Sequence, residues 1–281
     1  MRVSIITVCL NSEKYLSDCI ESVRNQSYHD IEYIVIDGGS TDKTLEIINR
    51  NLHVISRFKC EPDRGMYDAI NKGIRMATGD IIGVLNSDDI FASADSISNI
   101  VDCFQLNETD SVYGDLVYVS PENTESITRF WKGKEFRRFR FKFGWMPAHP
   151  TFYIRRDLIQ EHGLYENHFY TAADYEFMAR YLYRHRCSAT YLDEIIVKMR
   201  CGGLSNGSLK RRLRANRRDY LAMKKNHIPF PFMVSVLKPL SKIHQYKKSH
   251  LAKADVAMKE KSLITYVKAN SANFTHVESV Q

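Results

Sequence analysis

The sequence predicts an α/β fold with a mostly parallel central sheet flanked by helices and a basic helical extension at the C-terminus. Three observations lead there. Apolar runs of strand length alternate with stretches of helical period through the first hundred residues, clusters of Gly, Asp, Ser and Asn punctuate the transitions, and charge is divided unequally along the chain.

Val3–Cys9 is a short, mainly apolar run and reads as a buried strand. Residues 12–25 carry Tyr15, Leu16, Cys19, Ile20 and Val23 at helical spacing, with Asn11 or Ser12 placed as N-cap. A second strand over 31–36 ends at Asp37, and Gly38, Gly39 and Ser40 turn the chain into a helix expected over 41–50. A weaker strand over 54–60 follows, then a helix over Met66–Met76, a turn at Thr78, Gly79 and Asp80, and a strand over 81–85 that runs directly into Asn86, Ser87, Asp88 and Asp89. Sheets of this kind bind ligands beyond the carboxyl ends of their strands, so Asp37 and the Asp88–Asp89 pair are expected to face one crevice.

Beyond residue 106 the pattern loosens. A strand is expected over 112–119, helices over 155–162 and 173–184, a strand over 191–199, a break at Gly202 and Gly203, and a basic helix over Leu209–Lys225. The segment 129–145 interleaves Phe and Trp with seven Lys or Arg and one Glu. Such a mixture can stack bases and pair phosphates, or form a hairpin at an acceptor site or membrane interface; the second reading is favoured.

With 44% hydrophobic and 26% charged residues in 281, the chain has the composition of a globular protein large enough to bury a core. It contains no uncharged apolar run of membrane-spanning length and no secretory signal pattern at its start. The six cysteines are scattered without a C-x-x-C pair, which points to a reducing compartment rather than a disulfide framework or zinc site. Of the net charge of +7, residues 205–261 hold +12 (15 Lys or Arg against 3 Asp or Glu) and the last twenty are balanced, leaving residues 1–204 at −5. An acidic body suits metal-bound substrates, and a basic tail suits an anionic surface.

Paired aspartates after an apolar strand form a plausible Mg2+ or Mn2+ site, because hard cations prefer carboxylate oxygen and complete their shells with substrate phosphates. The alternative is that Asp88 caps a following helix and Asp89 is solvated. Asp37 is open to two readings as well, as the organiser of a tight turn or as an acceptor for a base or ribose hydroxyl.

Taken together, Ser4-Ile-Ile-Thr-Val-Cys-Leu-Asn11, Asp37-Gly-Gly-Ser-Thr-Asp42, Glu61-Pro-Asp-Arg-Gly-Met-Tyr-Asp-Ala-Ile-Asn-Lys-Gly73, Ala77-Thr-Gly-Asp80 and Leu85-Asn-Ser-Asp-Asp89 resemble the family-2 inverting glycosyltransferases, in particular the branch that builds bacterial O-antigen, capsule and exopolysaccharides. The resemblance covers residues 1–205. It implies the GT-A fold, a Rossmann-like sheet, with a nucleotide-binding half at 1–106 and an acceptor-binding half at 107–205, followed by a basic helical extension at 206–281. It also implies that Thr7, Asn11, Asp37, Asp63 and Asp88 contact a UDP-sugar, and that Asp89, with Asp88, holds Mn2+ or Mg2+. Asn71 and Gly73 fall on family positions that shape a loop or touch ligand.

The catalytic base of the family is an acidic residue opening a helix, and the match is Asp174 in Ala172-Ala-Asp-Tyr-Glu-Phe177, with Ala173 where the family usually has Glu. Helix capping is the competing role for Asp174, and Glu176 is the second candidate base. Trp145, His149 and Arg200 are candidates for acceptor or phosphate contacts, although a plain loop histidine and a surface arginine are the more ordinary readings of the last two. The implied partners are a UDP-sugar, a lipid-linked oligosaccharide and, through the basic tail, the inner face of a bacterial plasma membrane, with no nucleic acid; the oligomeric state is left open. A sugar-phosphate nucleotidylyltransferase would share the sheet and metal but lacks a match here for its Gly-rich basic loop. A nucleic-acid-binding protein would explain the basic tail but not the acidic crevice.

Overall fold

The computed structural model describes residues 1–202 and 209–231, the side chains of 209–214 excepted. Nine strands form one mixed sheet: β1 (Val3–Cys9), β2 (Ile31–Asp37), β3 (Arg57–Cys60), β4 (Ile81–Val84), β5 (Ile90–Phe91), β6 (Ser111–Val119), β7 (Ile127–Trp131), β8 (Tyr153–Arg155) and β9 (Thr190–Arg200). Their order is β3-β2-β1-β4-β8-β6-β9-β5, with β7 hairpinned onto β6. The first four neighbours are parallel, as is β6 with β9. β8 is antiparallel to both β4 and β6 and splices the two halves together.

Seven α-helices are described: α1 (Leu16–Arg24), α2 (Thr44–Arg50), α3 (Met66–Met76), α4 (Ser96–Asn107), α5 (Arg156–His162), α6 (Ala173–Met178) and α7 (Leu209–Lys225). Both faces of the sheet are covered, and the period of two along each strand divides the core accordingly. Ile6, Val8, Ile34 and Ile36 pack with Ile70 and Ile74 of α3 and with α6 on one side. Val3, Ile5, Tyr33 and Val35 pack with Leu16 and Ile20 of α1, Ile48 of α2 and Ile100 of α4 on the other.

Several boundaries differ from expectation for identifiable reasons. α1 begins four residues later than residue 12, because the Ser12 amide donates to Thr44 Oγ1 at 2.7 Å and its hydroxyl meets Ser87 Oγ at 3.0 Å instead of capping. α2 starts at Thr44, since residues 39–41 are held in a turn by Asp37. The helix expected over 173–184 stops at Met178 and continues as a π-helical turn, Ala179–Arg184. Within that turn the Arg180 guanidinium donates to the carbonyls of His162, Gly163 and Leu164 and pairs with Glu176. The segment 129–145 contains the end of β7 and a 3-10 helix, Arg138–Phe143.

α7 lies on the body. Ala222 and Met223, with Ile228 beyond the helix, are buried in the same core as α6, and Lys225 pairs with Glu166 and Glu176. Among the described residues no helix is long and apolar enough to cross a membrane. The remainder of the basic extension, including Gly203 and residues 232–281, lies outside the described residues.

Candidate active site

The parallel register sets the rim of the sheet: Cys9 stands opposite Asp37 and Asp37 opposite Cys60, so β1, β2 and β3 end level with one another. The Asp37 carboxylate is fully buried there. Oδ1 accepts from the Ser40 hydroxyl at 2.5 Å and the Cys9 thiol at 3.6 Å, and Oδ2 from the amides of Gly39 and Ser40 at 3.0 and 2.9 Å and the Cys60 thiol at 3.1 Å. Burial pushes this carboxyl up, and the Ser40 hydrogen bonds with the Cys60 and Gly39 donors outweigh it and hold it below its usual range. With donors from Cys9, residues 39–40 and Cys60 on its two oxygens, Asp37 organises this turn.

Thr7 is fully buried in β1, where its hydroxyl accepts from Tyr33 at 3.1 Å and lies 3.8 Å from the Cys19 sulfur. Asn11 is exposed, in a left-handed conformation (φ 51°). Its amide donates to Ser40 Oγ at 2.8 Å and its side-chain oxygen accepts from the Thr41 amide at 2.9 Å, so it clamps the second loop against the first. Asp63 is half-buried, accepts from the Gly65 amide at 2.7 Å and leans over Gly38, where a Cβ would stand 2.5 Å from its Oδ2. Asn11 and Asp63 therefore meet the turn at residues 38–41 and form one corner of the rim with it.

The Ser12–Ser87 contact ties this corner to the loop after β4. That loop continues into β5, so Asp88 caps no helix. Asp89 is fully buried, not solvated; Oδ2 accepts from Asn86 at 2.8 Å, while Oδ1 is enclosed without a hydrogen-bond partner. Burial, and then the adjacent Asp88, push the Asp89 carboxyl well above the usual carboxylate range against the Asn86 hydrogen bond and the Arg200 amide and guanidinium; burial also raises Asp88, with its own amide and then Arg200 opposing. An orphaned buried oxygen on one of two adjacent raised carboxylates fits a hard divalent cation. Among the described residues no group of three or more His, Cys, Asp or Glu side chains could hold a metal ion by itself.

Arg200, at the end of β9, is not a surface arginine. It is 4% exposed, donates to the Asp88 carbonyl at 2.9 Å and to Asp18 Oδ2 at 2.5 Å, and lies 4.5 Å from the centre of the Tyr15 ring. Its guanidinium fork grips the aspartate loop by the backbone. Asp18 and Tyr15 carried no sequence signal beyond lying on a helix near the first strand.

On the acceptor half, Asp174 sits in the first turn of α6, half-buried, with Oδ1 accepting from the Tyr175 amide at 2.7 Å. The N-cap residue Ala172 makes no side-chain cap, so Asp174 is the side chain that takes a first-turn amide. The Tyr67 hydroxyl meets the Asp174 amide, Tyr165 stacks on Tyr67 at 5.5 Å and on Phe177 at 4.0 Å, and His149 Nε2 meets the Tyr165 hydroxyl at 2.9 Å. His149 is buried, which lowers its pKa against the opposing pull of Asp174, so it is neutral rather than a solvated loop histidine. Tyr67 opens α3, the helix that follows β3, so Asp174 lies beside the start of that helix. Trp145 is half-buried, edge-on to Phe141 at 5.9 Å and Tyr113 at 6.0 Å. Glu176 is completely buried between Arg180 and Lys225, which excludes it as an accessible base.

A family model described as "Glycosyl transferase family 2" matches residues 4–163, more than half of the chain. A PGL/p-HBAD biosynthesis glycosyltransferase of Mycobacterium bovis is 32% identical over 208 residues, covering 72% of this chain and 78% of its own. Among solved structures, residues 1–349 of TarS from S. aureus in complex with UDP align with a TM-score of 0.63 at 18% identity over 79% of this chain, which spans 65% of that chain. The mannosyltransferase PcManGT of Pyrobaculum calidifontis, in complex with GDP-Man and Mn2+, aligns with a TM-score of 0.59 at 18% identity over 95% of this chain and 79% of its own. At such identities the two structures speak for the shared fold, and the family model and the sequence relative speak for the activity.

Proposed function

The chain belongs to glycosyl transferase family 2, and from that premise we propose that it transfers a sugar, with inversion at the anomeric carbon, from a UDP-sugar to a lipid-linked saccharide in bacterial surface polysaccharide synthesis. What supports the reading is family membership together with the Asp88–Asp89 pair after β4, one buried oxygen of which has no hydrogen bond, and Asp174 in the first turn of α6. The solved neighbours carrying UDP, UDP-GlcNAc and GDP-Man support a nucleotide-sugar donor. The two alternatives, a nucleotidylyltransferase and a nucleic-acid-binding protein, give way to family membership.

In this reading the corner formed by Asn11, Gly38 and Asp63 receives the nucleoside, with Asp37 and Thr7 shaping it from below. Asp88 faces the ribose or sugar. Asp89 and Asp88 would hold Mn2+ or Mg2+, which offsets the charge developing on the departing diphosphate. Arg200 fixes the loop that carries both aspartates. Asp174 takes the proton of the acceptor hydroxyl as its oxygen attacks the anomeric carbon from the side opposite the leaving group. Neutral His149, held by Tyr165, borders Asp174 without competing for that proton, and Trp145 flanks the acceptor side. The catalytic region spans residues 1–205 with α7 braced against it, and the basic extension beyond it would meet the inner membrane surface.

The test is a transfer screen of UDP-sugars with Mn2+ and lipid-diphosphate oligosaccharide acceptors. Wild type should transfer, and Asp174→Asn should lose on the order of 10²–10⁴-fold in turnover while its UDP-dependent thermal shift stays within error. Equal turnover by the two proteins would remove Asp174 as the base.

A further inference from the structure

We propose that the turn around residues 137–143 is a rigid wedge that docks the protein on an anionic lipid bilayer, with Phe139 and Phe143 entering the boundary between headgroups and acyl chains. The 3-10 helix Arg138–Phe143 divides its aromatic residues by face. Phe141 points inward and is fully buried against Tyr175, Tyr183 and Trp145. Phe139 and Phe143 point outward, 51% and 58% exposed, and meet edge to face at 6.3 Å. Two large rings paired in this way form an apolar projection that the described residues leave uncovered.

The surroundings select the partner. Lys134, Arg137 and Lys142, exposed in the same segment of chain, flank the two rings in sequence, and the one acidic residue of the segment, Glu135, stands 3.8 Å from Arg137. Exposed cations in the segment that carries an apolar tip match a bilayer surface that presents phosphates above hydrocarbon. The rings pack against each other rather than lining a groove, which is a poor arrangement for stacking successive bases. The turn is also stiff: Arg138 Nε donates to the Tyr183 carbonyl at 2.6 Å and its guanidinium lies 4.6 Å from the centre of that ring, while Arg140 lies 5.9 Å from the centre of the Trp145 ring. Insertion would thus require little reordering.

The position gives the contact a purpose, which rests on the reading of the acceptor as lipid-linked. Tyr175, the residue after Asp174, donates its hydroxyl to the Phe141 carbonyl at 3.4 Å. A bilayer touching Phe139 and Phe143 would lie on the acceptor side of the catalytic rim, where a lipid-borne sugar emerges from the membrane.

The experiment is flotation of the full chain with phosphatidylcholine vesicles containing about 30 mol% phosphatidylglycerol, comparing wild type with Phe139→Ser/Phe143→Ser and Phe139→Trp/Phe143→Trp. The Ser pair should lower the partition coefficient at least ~10-fold, and the Trp pair should retain it. The thermal shift with UDP and Mn2+ should be the same in all three proteins; it tests the donor reading independently of the lipid contact. Flotation of the Ser pair equal to wild type would overturn the proposal, as would failure of wild type to float while it binds a short RNA.

Discussion

Replacing Asp89 with Asn should stabilise the protein alone and abolish its response to donor and metal. In the native fold one Asp89 oxygen accepts from Asn86 at 2.8 Å and the other is enclosed without a partner, beside a second raised carboxylate. Leaving a buried acceptor unsatisfied costs about 1–3 kcal/mol, and more when it is charged. An amide of the same shape removes the charge. At about 2–4 °C per kcal/mol for a domain of this size, metal-free Asp89→Asn should melt on the order of 5 °C above wild type. Wild type, in contrast, should gain about 2.7 kcal/mol when UDP with Mn2+ is supplied at ~100 times its dissociation constant, and the variant should gain under about 1 kcal/mol at the same concentrations. Differential scanning fluorimetry with and without the two ligands reads both effects. A variant that melts below wild type without ligand, or that keeps the full ligand-induced shift, would refute the reasoning from the orphaned oxygen.

Glu32 is where acid should first weaken the fold. Burial would raise its carboxyl, but hydrogen bonds from Ser4, the Thr78 amide and hydroxyl, and Arg57 hold it at about 2. Its contribution is therefore complete above its ordinary value of 4.5 and lost as pH falls from there toward 2. Glu32→Gln should cost about 2 kcal/mol at pH 7 and flatten the decline between those values in urea melts; an unchanged acid limb would show that the network contributes nothing. Tyr165→Phe keeps the stack on Phe177 and removes the hydroxyl that meets buried His149. It should destabilise by about 1–3 kcal/mol in urea denaturation, and a neutral result would mean that His149 finds another partner.

The half of the fold built from local βα units was legible because each strand and helix states its own period over a few residues, as Val3–Cys9 and Met66–Met76 do. The second half depends on pairings between distant segments. β8 is three residues long and β5 two, each stabilised by neighbours rather than by any pattern of its own. The aspartates at strand ends were legible for the same topological reason, but what each oxygen does was not. Asp37 is saturated by donors from three separate segments, Cys9, residues 39–40 and Cys60. The burial of Thr7 could not be told from the pattern, because both faces of this sheet are buried and alternation says nothing about polarity. Arg200 was read as a surface residue since its partner Asp18 lies 182 positions away. The Tyr67–Tyr165–His149 cluster likewise joins three elements with no shared motif.

An Asp89 that presents its unpartnered oxygen to a cation shared with the donor diphosphate can be seen by anomalous diffraction from crystals grown with UDP and Mn2+. The expected result is a manganese peak bonded to Asp89 Oδ1 and to diphosphate oxygens, with the nucleoside in the corner of Asn11, Gly38 and Asp63. Manganese elsewhere, or UDP bound on another face of the sheet, would contradict it.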